Sequence, residues 1–249
     1  VFPDALLAAF SEWWFAWDSK EQNFDKTSPY LPKQTSSTRL NERYTNLSQS
    51  LEICESDFIW TATDWQRCQF PLGLRSRINV FHEGVDTEFF SPNKRTFEKP
   101  DLLMTYTARG LEPMRGFDYF IKFSDKLLSL YPNLRVVIVG KDKPFYRKMP
   151  KGSKSMKDIA SNVYSKSSNL SRVTFHERLD YTSYRDLLRD SDIHVYFSRP
   201  FIASWGLVEA LSCGCCIIAS DIHMVREIVQ ESAFLVDHTN LDHAIASME

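Results

Sequence analysis

The sequence predicts an α/β protein whose C-terminal part forms a doubly wound sheet of parallel strands. Two observations predict this class: apolar runs alternate with amphipathic stretches from residue 101 onward, and a polar, aperiodic segment precedes them. The predicted strands are residues 102–108, 135–140, 173–175, 193–197, 216–219 and 234–236. The predicted helices are residues 116–130, 154–165, 182–189, 205–213, 224–229 and 241–248. Six such β–α alternations are typical of a Rossmann-like domain.

In the first hundred residues, apolar runs and amphipathic stretches alternate less regularly. In residues 3–18, Leu6, Phe10, Trp13 and Trp14 recur near helical spacing, which predicts a helix with an aromatic core face. Residues 20–39 are polar and predict a loop. Residues 41–53 predict a helix, and residues 57–63 and 78–81 predict two short strands.

A domain boundary is predicted at residues 83–100, because this segment is charged, lacks periodicity and contains Gly84, Pro92 and Pro100. The chain is therefore divided into a partial N-terminal domain at residues 1–82, a linker at residues 83–100 and a C-terminal domain at residues 101–249. Because the chain begins with Val1 rather than Met, we expect it to be a piece of a longer protein.

Composition argues against several classes of protein. The 249 residues carry a formal net charge of −2, which argues against nucleic acid as a partner. No apolar run is long enough to span a membrane and no signal peptide pattern is present, so we expect a cytoplasmic protein, with peripheral attachment to the inner face of a membrane left open. Cys215 and Cys216 are adjacent in a predicted strand and point to opposite faces, so we expect all five cysteines to be reduced and buried.

The segment at residues 198–220 contains the first candidate for a ligand site. Ser204 is a candidate N-cap for a short apolar helix in which Glu209 is the one acidic residue. Ligands of parallel sheets bind beyond the carboxyl ends of strands, and a carboxylate there can accept hydrogen bonds from a ribose diol. Glu209 could equally face water and interact with the helix dipole, which is worth about 0.3–1 kcal/mol.

Positive charge follows the first two strands of the predicted sheet. Arg109, Gly110 and Arg115 come after the first strand, and Gly140 and Lys141 after the second. Arginines beside glycines provide charge and close backbone approach, which a diphosphate requires. Surface solvation remains the alternative for each of these cations.

Other chemistries lack their motifs. No Gly-x-Gly-x-x-Gly fingerprint and no P-loop is present, which disfavours dinucleotide oxidoreductases and P-loop enzymes. No His, Cys and Asp cluster has metal-ligand spacing, and no nucleophile elbow occurs. After the third strand, Arg178 and Leu179 lie where a nucleotide base could stack, and His176 is interpreted as a structural histidine.

Five motifs, in their order and spacing, resemble those of retaining glycosyltransferases of family four. They are FHEGVDTEFFSP, YTARGLEPMRGFDYFIKF, RVVIVGKD, RVTFHERLDYTSYRDLLRDSDIHVYFS and SWGLVEALSCGCCIIASD. The resemblance covers the chain from Asp57 onward and implies the type B fold, two Rossmann-like domains facing each other across a cleft. It implies a six-stranded C-terminal domain that binds the donor and an N-terminal, acceptor-side domain that is incomplete in this chain.

The resemblance also implies roles for single residues. Arg109 and Arg115 correspond to the catalytic Arg and Lys that hold the donor diphosphate. Glu209 corresponds to the second acid of a Glu–seven residues–Glu motif, which binds the ribose hydroxyls. Arg178 and Leu179 correspond to the loop that contacts the base.

The first acid of that motif falls at Phe201, so the carboxylate that usually positions the donor sugar is absent, as in a subgroup with a non-acidic residue there. Under this interpretation its role passes to Ser204 and the amides around Trp205, Gly206 and Leu207, or is lost.

The implied activity is transfer of a sugar, with retention, from a nucleotide-diphosphate sugar to a hydroxyl group of an unknown sugar, lipid or protein acceptor. It needs no metal and no cofactor, and it belongs to polysaccharide or glycoconjugate biosynthesis. The alternative is a non-catalytic nucleotide-sugar binding module or degenerate subunit, which the missing first acid favours slightly.

Overall fold

The structure, a computed structural model, describes residues 5–16, 23–26, 28–93 and 100–246. Within these ranges the chain forms two parallel sheets, one of three strands and one of six. The strands are β1 (Ala8–Phe10), β2 (Phe58–Thr61), β3 (Ile78–Val80), β4 (Leu102–Gly110), β5 (Leu134–Lys141), β6 (Val173–His176), β7 (Ile193–Tyr196), β8 (Ile217–Ser220) and β9 (Phe234–Val236). The helices are α1 (Ser36–Glu55), α2 (Asp64–Arg67), α3 (Leu72–Arg75), α4 (Phe117–Leu130), α5 (Met156–Lys166), α6 (Tyr181–Asp190), α7 (Trp205–Ser212), α8 (His223–Val229) and α9 (Leu241–Ala246).

The six-stranded sheet has the order β6-β5-β4-β7-β8-β9 with parallel pairing throughout. The chain runs outward from β4 to β6, returns to the centre at β7 and then runs outward to β9. The strand order therefore reverses between β4 and β7, and ligands of such sheets bind at this switch point. The predicted α/β fold with its six-stranded parallel sheet is confirmed.

Helix α4 packs an aromatic face against this sheet. Phe117, Phe120 and Phe123 recur every three residues and are at most 1% exposed, which places them on one buried face. Gly116 precedes the helix with φ +67°, and a Cβ there would lie 2.6 Å from the carbonyl carbon of Phe197. Only glycine fits this turn, so the loop after β4 lies directly against the end of β7.

The segment at residues 5–16 contains the short strand β1 and no helix, so the helix that the sequence predicts there is wrong. β1 pairs in parallel with β2, which lies far away in sequence. Trp13 stacks on Trp65 and Trp14 contacts Phe70, with 5.4 Å between ring centroids in each pair. The apparent helical spacing thus comes from separate contacts that follow a short strand. Positions 3, 4, 17 and 18 of that prediction lie outside the described residues.

Helix α1 begins at Ser36, inside the segment predicted as a loop. Thr35 caps it, because its hydroxyl accepts a hydrogen bond from the N–H of Thr38 (3.2 Å) and the Thr38 hydroxyl accepts one from the N–H of Thr35 (3.1 Å). Residues 83–93 contain no helix or strand. Positions 20–22 and 27 of the predicted loop, positions 94–99 of the predicted linker, and positions 247 and 248 of the last predicted helix lie outside the described residues. The domain boundaries stay predictions.

All five cysteines are free. Cys213 and Cys215 are buried, but Cys54 and Cys216 are exposed, so the prediction that all five are buried is wrong. Cys216 directly precedes β8 and faces away from Cys215, as expected for consecutive residues of an extended chain. Among the described residues, no helix is long and apolar enough to cross a membrane.

Candidate functional site

A cavity of about 640 Å³ lies at the carboxyl ends of β4 and β5 and is closed on one side by residues that follow β1 and β3. The lining from the C-terminal domain comprises Thr107, Ala108, Arg109, Arg115, Val139, Lys141, Tyr146, Glu177, Arg178, Leu179, Tyr181, Tyr184, Ala203, Ser204, Trp205, Gly206 and Glu209. The N-terminal part contributes Phe10, Glu12 and Glu83. The cavity therefore lies at the switch point of one sheet and faces the carboxyl edge of the other.

Two arginines in this cavity rest on aromatic rings. The exposed guanidinium of Arg109 lies 4.2 Å from the ring centroid of Phe145, and that of Arg115 lies 4.9 Å from the centroid of Tyr146. Arg115 is buried and donates hydrogen bonds to the carbonyl oxygen of Ile202 (3.0 Å) and to the Tyr146 hydroxyl (2.9 Å). Arg115 is thus fixed in orientation, whereas Arg109 can respond to a ligand.

A buried carboxylate holds the loop that carries these two rings. Glu112 is fully buried, and its oxygens accept hydrogen bonds from the N–H groups of Phe145 (3.1 Å) and Tyr146 (3.0 Å). Burial raises the pKa of Glu112, although these backbone hydrogen bonds and the charge of Arg115 act in the opposite direction. Glu112 therefore couples the turn before Arg115 to the rings on which the arginines rest.

Glu209 is held by two tyrosines of α6. Its Oε1 accepts a hydrogen bond from the Tyr181 hydroxyl (3.0 Å), and its Oε2 accepts one from the Tyr184 hydroxyl (2.9 Å). Burial and the neighbouring carboxylate raise the pKa of Tyr184 well above its ordinary value, so this tyrosine remains a donor. Each carboxylate oxygen keeps a lone pair for a further donor, such as a hydroxyl group of a ligand.

The first residues of α7 form the third part of the site. Ser204 occupies the N-cap position as predicted, but its side chain makes no capping hydrogen bond. The N–H groups of a first helical turn have no partners within the helix, and the dipole favours an anion there. Trp205 is 61% exposed and lines the cavity together with Gly206.

The structure brings most of the predicted site residues together. Arg109, Arg115, Lys141, Arg178, Leu179, Ser204, Trp205, Gly206 and Glu209 all line the cavity. Gly110, Gly140 and Leu207 do not. A Cβ at Gly110 would lie 2.3 Å from the carbonyl oxygen of Lys143, one at Gly140 would lie 2.8 Å from Leu111 Cδ2, and Leu207 is buried in the core. The two glycines and Leu207 are thus packed against other protein atoms, and their predicted contacts with a ligand stay predictions.

The position expected to be acidic lies in an aromatic cluster. Phe201 is 7% exposed and contacts Trp13 and Tyr146, with 4.9 Å between ring centroids in each pair. Both contacts are edge-to-face, a favourable geometry for aromatic pairs. Phe201 thus packs the C-terminal domain against the segment that follows β1.

Sequence reasoning missed several lining residues. Tyr181 and Tyr184 have the i, i+3 spacing of one helix face, and this spacing at the start of α6 was a usable signal. Glu12 was missed because its segment was predicted to be helical, and Glu83 because it was placed in a linker. Among the described residues, no group of three or more His, Cys, Asp or Glu side chains could hold a metal ion.

Comparisons with known proteins agree with this geometry. A family model described as "Glycosyl transferases group 1" matches residues 87–249, and one described as "Glycosyl transferase family 4 group" matches residues 1–90. No curated protein sequence matches the chain.

Several solved structures share the fold. Sucrose-phosphate synthase (tll1590) from Thermosynechococcus elongatus is 16% identical with a TM-score of 0.63, over 86% of this chain and 54% of that one. Anabaena Alr3699/HepE in complex with UDP-glucose is 17% identical with a TM-score of 0.61, over 82% and 58%. TarM is 14% identical with a TM-score of 0.67, over 99% and 43%. The chain thus spans about half the length of these structures.

Proposed function

The chain belongs to the glycosyl transferases group 1 family, and we propose that it transfers a sugar from a nucleotide-diphosphate sugar to an acceptor hydroxyl group. One observation carries this proposal: two arginines and a tyrosine-held glutamate lie in one cavity at the switch point of the parallel sheet. The cavity volume of about 640 Å³ is within the range of small-molecule sites.

In the proposed complex, Arg109, Arg115 and the amides at the start of α7 bind the diphosphate. Glu209 accepts hydrogen bonds from the ribose hydroxyls, and Arg178 and Leu179 contact the base. The UDP-glucose bound in the Anabaena structure supports testing uridine nucleotides first.

The proposed reaction breaks the bond between the anomeric carbon and the terminal phosphate oxygen, which keeps the electron pair. The acceptor hydroxyl oxygen forms the new bond on the same face, and its proton passes to the departing phosphate, so the anomeric configuration is retained. Arg109 and Arg115 stabilise the charge that develops on the diphosphate. We propose that these cations replace a metal ion and that no cofactor takes part.

A panel of UDP, GDP, ADP, dTDP and CMP in a thermal unfolding experiment tests donor binding. A ligand at one hundred times its Kd stabilises the folded protein by about 2.7 kcal/mol, so the preferred nucleotide should raise Tm clearly above the others. Unchanged Tm with all five would contradict the proposal. Transfer from the matching sugar nucleotide, followed by NMR of the product's anomeric proton, then tests retention.

A second candidate is a nucleotide-sugar binding module without catalytic activity. It is favoured by Phe201, because a buried aromatic residue stands where the family resemblance implies an acid. Binding of a sugar nucleotide without hydrolysis or transfer, in a protein that contains the complete N-terminal domain, would support the module over the enzyme. The five free cysteines suit a reducing compartment, so for either function we propose a cytoplasmic location.

A further inference from the structure

The donor sugar lacks one expected partner in the C-terminal domain. Sugar hydroxyl groups need hydrogen-bond acceptors, and the phenyl ring of Phe201 offers none. Phe201 is also enclosed by Trp13 and Tyr146, so no polar group replaces it at that position. Carboxylates on other elements that line the cavity can supply this acceptor.

Glu12 lies directly beside this aromatic contact. It follows β1, and its neighbour Trp13 is the residue that packs on Phe201. Its backbone is fixed, because the Gln66 side chain donates a hydrogen bond to its carbonyl oxygen (2.7 Å) and the preceding Ser11 N–H bonds the Trp60 carbonyl oxygen (2.9 Å). The side chain is exposed at the cavity wall. Glu12 thus presents an exposed carboxylate from a backbone that is held by hydrogen bonds.

Glu12 lines the same cavity as Arg109 and Arg115. Partial desolvation at the cavity wall and the Glu83 carboxylate raise the pKa of Glu12, whereas Arg115 and Arg109 lower it. The Glu12 carboxylate makes no hydrogen bond or ion pair of standard length with another described residue. Glu209, by contrast, is bonded to two tyrosines of α6. The two acids therefore lie on different walls of the cavity, and the arginines interact with Glu12.

We propose that Glu12 binds hydroxyl groups of the donor sugar and so supplies, from the N-terminal sheet, the carboxylate that α7 lacks at Phe201. This inference rests on the proposed function. In a nucleotide-diphosphate sugar, the ribose and the sugar are attached to opposite ends of the diphosphate. With the ribose at Glu209 and the diphosphate at Arg109 and Arg115, the sugar extends toward the wall that carries Glu12.

Calorimetric titration of UDP and UDP-glucose into the wild type, Glu12→Gln and Glu83→Gln tests this assignment. Glu12→Gln keeps the size of the side chain, so we expect an unchanged Tm without ligand. Loss of charge-assisted hydrogen bonds should lower the affinity for UDP-glucose about tenfold or more. UDP alone should bind equally well or more tightly, because a negative charge near the arginines is removed.

Glu83→Gln is the matched control, since it removes a second carboxylate from the same wall. Equal losses for UDP and UDP-glucose in Glu12→Gln, or the same selective loss in Glu83→Gln, would overturn the role of Glu12. A wild type that binds no nucleotide of the panel contradicts the proposed function itself, which separates the two failures.

Discussion

At the scale of single residues, the two ends of the proposed nucleotide site are built differently. Glu209 is nearly enclosed, and both of its oxygens already accept hydrogen bonds from Tyr181 and Tyr184. Arg109 is exposed, and its guanidinium rests on the Phe145 ring. A buried, hydrogen-bonded carboxylate is fixed before a ligand arrives, whereas an exposed guanidinium is ordered by the ligand. The proposed ribose end is therefore preorganised, and Arg109 makes the proposed phosphate end adaptable.

Tyr184→Phe tests the preorganised end. Removing the hydroxyl leaves Glu209 Oε2 without its donor, so we expect UDP to bind about 3- to 10-fold more weakly, the equivalent of a typical hydrogen bond. Tyr164→Phe is the control, because the Tyr164 hydroxyl also makes a buried hydrogen bond, to Ser124 at 2.7 Å, away from the cavity. Calorimetry should show the loss only in Tyr184→Phe, and equal affinity in both variants would contradict a role for the tyrosine.

Arg109→Ala tests the adaptable end. UDP should bind about 10- to 100-fold more weakly, as expected for a lost charge-assisted hydrogen bond, while uridine keeps its affinity. Lys143→Ala is the matched control, because the Lys143 ammonium lies 4.8 Å from the centroid of the same Phe145 ring but does not line the cavity. If uridine and UDP lose affinity equally in Arg109→Ala, the arginine does not bind the diphosphate.

At the scale of elements, the sequence was informative where a pattern repeats locally. β4 to β9 and the helices between them were predicted because buried parallel strands are continuous apolar runs separated by amphipathic helices. β1 has three residues, too few for a period, and its pairing with β2 depends on a contact made across α1. The error at β1 also concealed Glu12. Long-range pairing thus limited the predicted site as well as the predicted fold.

The central strand β7 contains a titratable group that affects stability. His194 is buried, and its Nδ1 lies 2.9 Å from the Thr105 hydroxyl. Burial lowers the pKa of His194 from 6.5 to about 4, so between these values the unfolded chain binds a proton that the folded chain does not. The resulting stability is present above pH 6.5 and is lost as the pH falls toward 4.

We therefore expect the free energy of unfolding to fall by roughly 3 kcal/mol between pH 7.5 and pH 4 because of His194 alone. His194→Gln removes this proton and should show a flatter pH dependence, whatever its stability at neutral pH. Urea unfolding of both proteins across this range measures the difference. Parallel pH profiles would show that His194 is not buried in the neutral form.

At the scale of the whole molecule, the two sheets are joined by a helix cap and an aromatic cluster. Glu227 on α8 accepts hydrogen bonds from the N–H groups of Asp64 (2.5 Å) and Trp65 (2.9 Å) at the start of α2. Trp65 also stacks on Trp13, which contacts Phe201. A carboxylate at a helix N-terminus satisfies free N–H groups and the helix dipole. These contacts therefore hold the cavity walls from the two sheets in position relative to each other.

Glu227→Ala tests this connection. Loss of the cap should lower the free energy of unfolding by about 1–2 kcal/mol and speed amide hydrogen exchange in α2. Glu231→Ala is the control, because Glu231 is an exposed glutamate just beyond the end of α8. Urea unfolding and hydrogen exchange measured by mass spectrometry provide both readouts. Unchanged exchange in α2 would mean that the cap does not hold the two sheets together.

The arginine pair has a kinetic consequence for the proposed reaction. As the bond to the sugar breaks, negative charge develops on the terminal phosphate before the acceptor proton reaches it, and Arg109 and Arg115 lie in the same cavity. Cations that stabilise the leaving diphosphate also bind the nucleoside diphosphate product tightly. The nucleoside diphosphate should therefore be a strong inhibitor that competes with the donor. Slow product escape would then limit turnover, and a phosphatase that destroys the released nucleoside diphosphate would prevent the further loss of rate that its rebinding causes.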